Sequence, residues 1–298
     1  MPNLEFSRSS LLSPGSPPAP GVMHIVATPI GNAEDISARA IRVLSEVDLI
    51  ACEDTRRTGR LLAAHSIRTP TRSYFEHNEG RRIPELVARL ISGESIALVT
   101  DAGTPAISDP GYRLVRSAID AGIRVTAVPG PSAVIAALAV AGLPTDRFAF
   151  EGFLPAKTGE RERILAQLAT EERTLVIYEA ARRLPRLLSE LIAAFGPDRH
   201  IAVVREATKT HEEILRGSLA KMAENFANRE ALGEVTLVIE GAHGLGKAVA
   251  SPPSDDSRVV DVLREAGLSL KDASAAAAKI MGRSRREVYQ NAVRRERR

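Results

Sequence analysis

The sequence predicts an α/β protein of two α/β domains, the first with a mostly parallel sheet and the second with a mixed sheet. Short apolar segments such as MHIVATP and SIALVTD alternate with helical patterns of roughly 10–15 residues, which is typical of βαβ units. From GLPTDRFAF onward several strand patterns follow one another without long crossovers, and this favours a mixed sheet. Three short helical patterns, separated by Gly267 and Gly282, close the chain and indicate a small helix-turn-helix-like module.

These patterns divide the 298 residues into five segments. Residues 1–21 are rich in Pro and Ser and lack a basic stretch followed by an apolar one, so we expect a disordered leader rather than a signal peptide. The N-terminal α/β domain is predicted over residues 22–141 and the second α/β domain over residues 142–243. A Pro/Ser/Asp-rich linker over residues 244–257 leads to a basic helix-turn-helix-like module over residues 258–298.

Each element of the two domains has its own signal. After the strand MHIVATP, five apolar residues share one helical face, with Asp35 placed to cap that helix. Glycines are expected to end two further helices, at Gly93 and Gly122. The other strands predicted are LIACED, RSYFEHN, SIALVTD, RVTAVPG, FAFEGF, TLVIYEA, HIAVVREAT, EEILRGSL and GEVTLVIEG. The other helices predicted are RRTGRLLAAHSI, RIPELVARLISG, GYRLVRSAIDAG, PSAVIAALAVAG, Thr158 to Glu171 and RLPRLLSELIAAFG.

Composition limits the classes of function. The chain is 44% hydrophobic and 26% charged, which is enough for a substantial core. The single cysteine, Cys52, excludes an intrachain disulfide and a Cys-based metal site, and it fits a reducing compartment. No apolar run reaches the roughly 18 residues that a membrane span needs. We therefore expect a cytoplasmic protein without a membrane segment or a metal site.

Positive charge is concentrated at the C-terminal end. Eight Lys or Arg and two Glu lie between Lys279 and Arg298, whereas the whole chain has a net charge of only +3. Such a concentration suggests a polyanionic partner, although a solvated tail that only aids solubility has the same pattern.

Four predicted strands of the first domain end in Gly, Pro and small polar residues. These strand ends are ATPIGN, CEDTRR, TDAGTP and VPGPSA. Because ligands of open α/β sheets bind beyond the carboxyl ends of the strands, we expect these segments to line a pocket. The segment SDPG follows TDAGTP, and Asp109 is predicted to cap the next helix. A Rossmann glycine motif is absent, and GAHGLGKA carries Ala248 where a phosphate-binding loop needs Ser or Thr.

The longest motifs resemble a known family. VATPIGN, EDTRR, EHNEG, TDAGTPAISDPGYRLV, VPGPSA, GLPTDRFAFEGFLP, LVIYEA and REATKTHEEILRG together resemble the small-subunit ribosomal RNA cytidine 2'-O-ribose methyltransferases, within the tetrapyrrole-methylase superfamily. The resemblance is nearly continuous from Met23 to about Gly241 and extends into the C-terminal module. The departures are NAED, where the family usually has Leu after Asn, and Cys52 at a small-residue position.

The resemblance implies an S-adenosylmethionine cleft between the two α/β domains and a homodimer. It also implies methyl transfer to the ribose 2'-hydroxyl of a cytidine in 16S ribosomal RNA of the 30S subunit. TDAGTP would then form a wall for a cationic sulfonium rather than a phosphate cradle. The implied cofactor-binding residues that match the family by motif are Pro29, Ile30, Gly31, Asp101, Gly103, Thr104, Pro105, Ile107, Ser132 and Ala133. Two further residues, Tyr178 and Ala207, are matched by strand order alone.

Catalytic and RNA-binding residues are predicted from position. Glu53 and Asp54 end a strand beside two arginines, so they are either a strand-end cap with surface ion pairs or a substrate-facing acid/base pair. We predict that one of them is the general base; His77 and Glu206 are further candidates, with Lys209 as an electrostatic partner. The residues predicted to contact RNA are Arg56, Arg57, His77, Arg81, Arg82 and Lys209.

Two other functions fit parts of the sequence. A tetrapyrrole methyltransferase of the same superfamily would share the fold and the cofactor, but a small macrocycle has no use for a strongly cationic C-terminal module. A DNA-binding regulator would use the helix-turn-helix-like module and leave the pocket-bearing domains without a role.

Overall fold

The computed structural model describes residues 20–227, 229, 233–242, 256–265 and 267–281, together with residues 284, 285, 288, 289 and 292. Nearly all of the predicted leader and linker lie outside this part of the chain. The described residues form two compact units, one ending at Ala242 and the other containing the C-terminal helices. The predicted domain boundary after residue 141 falls inside the first unit, and it stays a prediction.

The first sheet has five parallel strands, as the alternating pattern predicted. Its order is β3-β2-β4-β1-β5. Its strands are β1 (Val22–Val26), β2 (Leu49–Cys52), β3 (Thr71–Ser73), β4 (Ile96–Val99) and β5 (Arg124–Val128). The helices after each strand are α1 (Ala38–Glu46), α2 (Thr55–Ala64), α3 (Glu79–Ile91), α4 (Tyr112–Asp120) and α5 (Ala133–Ala141).

The start of α1 differs from the prediction. The five apolar residues of its predicted face are buried, as expected, but Asp35 belongs to a short 3-10 helix, Ala33–Asp35. The N-cap is Ser37, whose side chain accepts a hydrogen bond from the Ala40 amide. Either residue type can cap a helix, and the intervening 3-10 turn decides between them. Gly93 and Gly122 follow α3 and α4 with positive φ angles of 100° and 72°, as the predicted glycine stops require.

The second sheet is mixed, again as predicted. Its order is β6-β7-β10-β8-β9, with β6 parallel to β7 and the other pairs antiparallel. Its elements are β6 (Phe148–Phe153), α6 (Thr158–Leu168), β7 (Thr174–Ala180), α7 (Leu184–Phe195), β8 (His200–Arg205), β9 (Glu213–Ser218), α8 (Leu219–Phe226) and β10 (Glu234–Ile239).

Two helices of the second sheet differ from expectation. Helix α6 ends at Leu168 rather than Glu171, and α8 was missed. Its signal is present in the sequence, since Leu219, Met222 and Phe226 are buried on one face and Ser218 caps the helix. The preceding strand EEILRGSL runs directly into this helix, so the change from strand to helix is marked only by Gly217 and the cap residue Ser218.

Helix α5 joins the two sheets. Although it follows β5 of the first sheet, its buried residues Val134, Ala137 and Leu138 pack against Val176 and Val204 of the second sheet. Residues at the carboxyl ends of β1, β2, β4 and β7 therefore lie along one cleft.

The C-terminal unit contains α9 (Asp256–Glu265) and α10 (Leu270–Met281). The predicted turn is present at Gly267, which has a φ angle of 92° and donates its amide hydrogen to the Arg264 carbonyl. Val260, Ala273 and Ala277 contribute to a small buried cluster. Most of the predicted third helix and of the basic end lies outside the described residues.

Candidate functional site

A cleft of about 740 Å³ lies at the carboxyl ends of the first sheet. Its lining comes from the loops after β1, β2, β4 and β5, and from residues of β7, β8, β10 and the loop after β8. The four strand-end segments predicted to line a pocket thus meet at one place, together with residues of the second sheet.

Strained backbone is concentrated around this cleft. Four of the five described non-glycine residues with positive φ are Ala106 and Ser108 in the loop after β4, and Glu206 and Thr208 in the loop after β8. Residues other than glycine rarely adopt this conformation, and it persists only where the surrounding structure enforces it. This strain supports a functional role for the two loops.

The loop after β1 is held from both sides of the cleft. Thr28 and Gly103 exchange two backbone hydrogen bonds, of 2.9 and 3.0 Å, which fix it to the loop after β4. On the other side the Asn32 amide donates to the Thr208 hydroxyl at 3.0 Å. Gly31 makes this approach possible, because a Cβ there would lie 2.8 Å from Thr208 Oγ1 and 2.9 Å from the Ala207 carbonyl oxygen.

Replacing Gly31 by Ala is therefore expected to push the two loops apart. Overpacking of this kind costs about 1–3 kcal/mol, so we expect a lower Tm and a cofactor affinity reduced at least about 10-fold. Gly59→Ala is the matched control, because a Cβ at that helical position meets nothing within 4 Å. Calorimetric titration and thermal unfolding measure both effects; a Gly31→Ala protein that matches the control in both contradicts this role.

The lining of the cleft is strongly acidic. Among the described lining residues six are carboxylates and two are cations, namely Glu53, Asp101, Asp109, Glu179, Glu206 and Glu234 against Arg57 and Lys209. Both cations are paired, Arg57 with Asp101 at 3.2 Å and Lys209 with Glu206 at 2.8 Å. Such a surface attracts a cation and repels phosphate groups.

Asp109 is part of this acidic lining, and its predicted role as a helix cap is wrong. Gly111 is the N-cap of α4, whereas the Asp109 side chain lies near Thr100 and lines the cleft. Burial, together with the negative charges of Glu53, Asp101 and Glu234, raises the pKa of Asp109 to about 6. A cationic ligand would relieve this unfavourable charge.

The two carboxylates predicted as general bases have different surroundings. Glu53 lines the cleft and accepts a hydrogen bond from the Thr100 hydroxyl at 3.1 Å. Asp54 caps α2: it accepts from the Arg56 amide at 2.8 Å and pairs with the Arg56 guanidinium. These bonds lower the pKa of Asp54 to about 2, so the carboxylate is a weak base that is already engaged. Of the two, only Glu53 remains a candidate.

The residues predicted to contact RNA differ in their exposure to solvent. Arg56, Arg57, His77 and Arg81 are exposed and follow β2 and β3, at the carboxyl edge of the first sheet. Arg82 does not join them, because it is buried and donates to the Ser73 carbonyl and to Glu85. Because its guanidinium is already hydrogen-bonded within the protein, Arg82 is not expected to contact RNA.

The predicted cofactor residues are largely together. All of them line the cleft except Pro105, which is buried within the loop after β4. The acidic lining fits the positive charges of S-adenosylmethionine, and the amino-terminal end of α5, at Ser132 and Ala133, would offer backbone amides to its carboxylate. Sequence reasoning missed Glu234 and Phe153, which also line the cleft.

Two negative findings concern only the described residues. None of their helices is both long and apolar enough to cross a membrane, and they contain no group of three or more His, Cys, Asp or Glu suited to a metal ion.

Comparisons with known proteins agree with this geometry. A family model described as Tetrapyrrole (Corrin/Porphyrin) Methylases matches residues 22–223, and one described as RsmI C-terminal HTH domain matches residues 250–296. Proteins named Ribosomal RNA small subunit methyltransferase I are similar to the chain: one from Xylella fastidiosa is 48% identical over 91% of this chain and 98% of its own length. One from Synechocystis sp. is 45% identical over 91% of this chain and 96% of its own length.

The fold also has solved neighbours. The crystal structure of uroporphyrin-III C-methyl transferase from Thermus thermophilus, complexed with S-adenosyl homocysteine, is 19% identical with a TM-score of 0.51. The alignment covers 76% of this chain and 99% of that one. At this identity the likeness shows the fold.

The two sheets and the match to the methylase family model define an α/β methyltransferase with an acidic cleft at the carboxyl edge of its parallel sheet. The chain belongs to the tetrapyrrole methylase family.

Proposed function

We propose that the chain transfers a methyl group from S-adenosylmethionine to the ribose 2'-hydroxyl of a cytidine in 16S ribosomal RNA. The observation that carries this proposal is the acidic cleft built from the family motifs. It is supported by relatives named Ribosomal RNA small subunit methyltransferase I, which match over nine-tenths of the chain.

S-adenosylmethionine supplies a methyl group on a positively charged sulfur. Asp101 and Asp109 would place negative charge near the bound cation, and the loops at Gly31 and Gly103 would present backbone groups to its polar edges. Holding the hydroxyl and the methyl group in line can provide much of the catalysis.

A ribose hydroxyl is a poor nucleophile at neutral pH, so a base adds to the rate. Glu53 is in the cleft and is held by the Thr100 hydroxyl. We assign it to accept the proton of the 2'-hydroxyl as the new O–C bond forms and the S–CH3 bond breaks, with S-adenosylhomocysteine, its sulfur now uncharged, as the leaving group.

The charge distribution also determines how RNA approaches. The cleft repels phosphate, whereas Arg56, Arg57 and Arg81 are exposed at the same edge of the first sheet. We infer that the arginines hold the RNA backbone at the rim while one nucleoside enters the cleft. The RNA contacts of His77 and Lys209 are retained as part of this proposal, as is the basic C-terminal module.

The setting of the reaction is part of the proposal as well. We propose a cytoplasmic homodimer that acts on the assembled 30S subunit.

The direct test is transfer of labelled methyl groups from S-adenosylmethionine to undermethylated 30S subunits, to free 16S ribosomal RNA and to a porphyrinoid. We expect label in the ribosomal RNA, with the 30S subunit as the better substrate. Label in the porphyrinoid alone would favour the tetrapyrrole methyltransferase. An absence of label in all three, from a protein that binds the cofactor, would contradict the proposal.

A further inference from the structure

Phe153 is a large apolar side chain for which the reaction as derived has no use. It lines the cleft, yet its side chain remains 51% exposed. Ile107, on the facing loop after β4, also lines the cleft and is 46% exposed. Two exposed apolar side chains on facing segments of one cleft form the kind of apolar surface that marks a ligand-binding groove.

A β-bulge places this ring. Strand β6 pairs with β7 so that Phe150 lies opposite Val176 and Phe153 opposite Tyr178, with a register shift at Gly152. In a regular strand, residues three apart point to opposite faces of the sheet. The extra residue of the bulge brings Phe150 and Phe153 to the same face, and bulges beside active sites often redirect a side chain in this way.

The rings on this face form an aromatic corner, defined by Phe150, Phe153 and Tyr178. The ring centroids of Phe150 and Tyr178 are 4.9 Å apart, and those of Phe153 and Tyr178 are 5.4 Å apart. Tyr178 also lines the cleft. These contacts hold the Phe153 ring while one part of it stays accessible.

Gly152 fixes the corner against the acidic loop. Its φ angle of 62° favours glycine, and a Cβ at this position would lie 2.9 Å from Ser108 Oγ. Because Ser108 follows Ile107 and Gly152 precedes Phe153, the two exposed apolar side chains lie on adjacent segments at the rim of the cleft.

We propose that Phe153, supported by Tyr178, is the surface on which the nucleobase of the methylated nucleotide stacks. This inference rests on the proposed function. The acidic lining excludes phosphate, so the neutral base and ribose are the parts of the RNA that can enter. A base whose ribose reaches the cleft must leave its stack in the RNA, and aromatic rings are the usual surface for an unstacked base.

Phe153→Leu keeps an apolar side chain of similar size but removes the ring. Methyl transfer to undermethylated 30S subunits should then lose about 10-fold or more in kcat/KM, as expected when base stacking is lost. Cofactor affinity, measured by calorimetric titration, should stay at the wild-type value. Phe153→Tyr should retain near-wild-type transfer. Phe148→Leu is the matched control, since Phe148 is on the same strand and 37% exposed.

Several outcomes would overturn the assignment. If Phe153→Leu lowered cofactor affinity by as large a factor as methyl transfer, the ring would contact the cofactor instead. Unchanged transfer in Phe153→Leu, or an equal loss in Phe153→Tyr, would exclude stacking on this ring. In each of these cases the wild-type protein is active on the 30S subunit. If the wild-type protein itself transfers no methyl group to ribosomal RNA, the proposed function fails together with this site.

Discussion

Replacing Asp109 by Asn is expected to weaken S-adenosylmethionine binding by about 10- to 150-fold, the equivalent of about 1.5–3 kcal/mol for a lost charge-assisted contact. The carboxylate lies in a cleft with Glu53, Asp101 and Glu234, where a bound cation compensates their mutual repulsion. Calorimetric titration with S-adenosylmethionine measures the loss. Asp120→Asn is the control, because Asp120 is an exposed residue of α4 paired with Arg116.

In the ligand-free protein, by contrast, Asp109→Asn is expected to increase stability. The pKa of Asp109 is raised to about 6 from an ordinary value of 3.8. Above about pH 6 the carboxylate is ionised in the folded protein, and this lowers the free energy of unfolding by the full cost of the buried charge. Below about pH 4 the group is protonated in both the folded and the unfolded protein, so the cost is absent. Asp109→Asn removes this cost, so its Tm without ligand should exceed that of the wild type at pH 7 and match it near pH 4.

Cofactor affinity should follow the same titration. In the wild type it should fall as the pH is lowered through about 6, because protonated Asp109 no longer attracts a cation, and in Asp109→Asn this part of the pH dependence should disappear. If Asp109→Asn binds the cofactor as tightly as the control and melts no higher than the wild type, this role of Asp109 is excluded.

Glu53→Gln is expected to reduce the rate of methyl transfer by about 10²- to 10⁴-fold, the usual contribution of a general base. Cofactor affinity should change much less, because Gln can still accept the hydrogen bond that Thr100 donates to Glu53. Single-turnover transfer to the 30S subunit separates the chemical step from binding.

Asp54→Asn separates the two adjacent carboxylates. Asp54 caps α2 and pairs with Arg56, and Asn is also a good N-cap residue, so transfer should stay within a few-fold of the wild type. A large loss in Asp54→Asn with little loss in Glu53→Gln would reverse the assignment of the base.

The sheets and the location of the cleft could be predicted from the sequence because both depend on local patterns. Alternation of strands and helices predicts a parallel sheet, and ligands bind at its carboxyl edge. The segments that contain Gly31, Asp101 and Gly103 were placed correctly at that edge on this basis.

The roles of individual polar residues depend on contacts between distant segments. Asp109 precedes a helix, as a cap would, but Gly111 takes that position and Asp109 lines the cleft near Thr100. Arg82 is predicted from the sequence to contact RNA, yet its guanidinium donates a hydrogen bond to the carbonyl of Ser73, nine positions earlier. Neither contact has a signal in local sequence.

The face of the sheet on which Phe153 lies could not be predicted from the local sequence either. A regular period-2 reading of FAFEGF puts Phe150 and Phe153 on opposite faces. The bulge between Phe150 and Gly152 reverses this, and Gly152 lies so close to Ser108, in the loop after β4, that a Cβ would come within 2.9 Å of its hydroxyl oxygen.

The most direct measurement of the central claim is nucleoside mass spectrometry of 16S ribosomal RNA after incubation of undermethylated 30S subunits with the protein and S-adenosylmethionine. We predict one new 2'-O-methylcytidine per RNA molecule, formed about 10²- to 10⁴-fold more slowly with Glu53→Gln at equal protein concentration. A methyl group on a base, or ribosomal RNA that gains no methyl group from the cofactor-bound protein, would contradict the account.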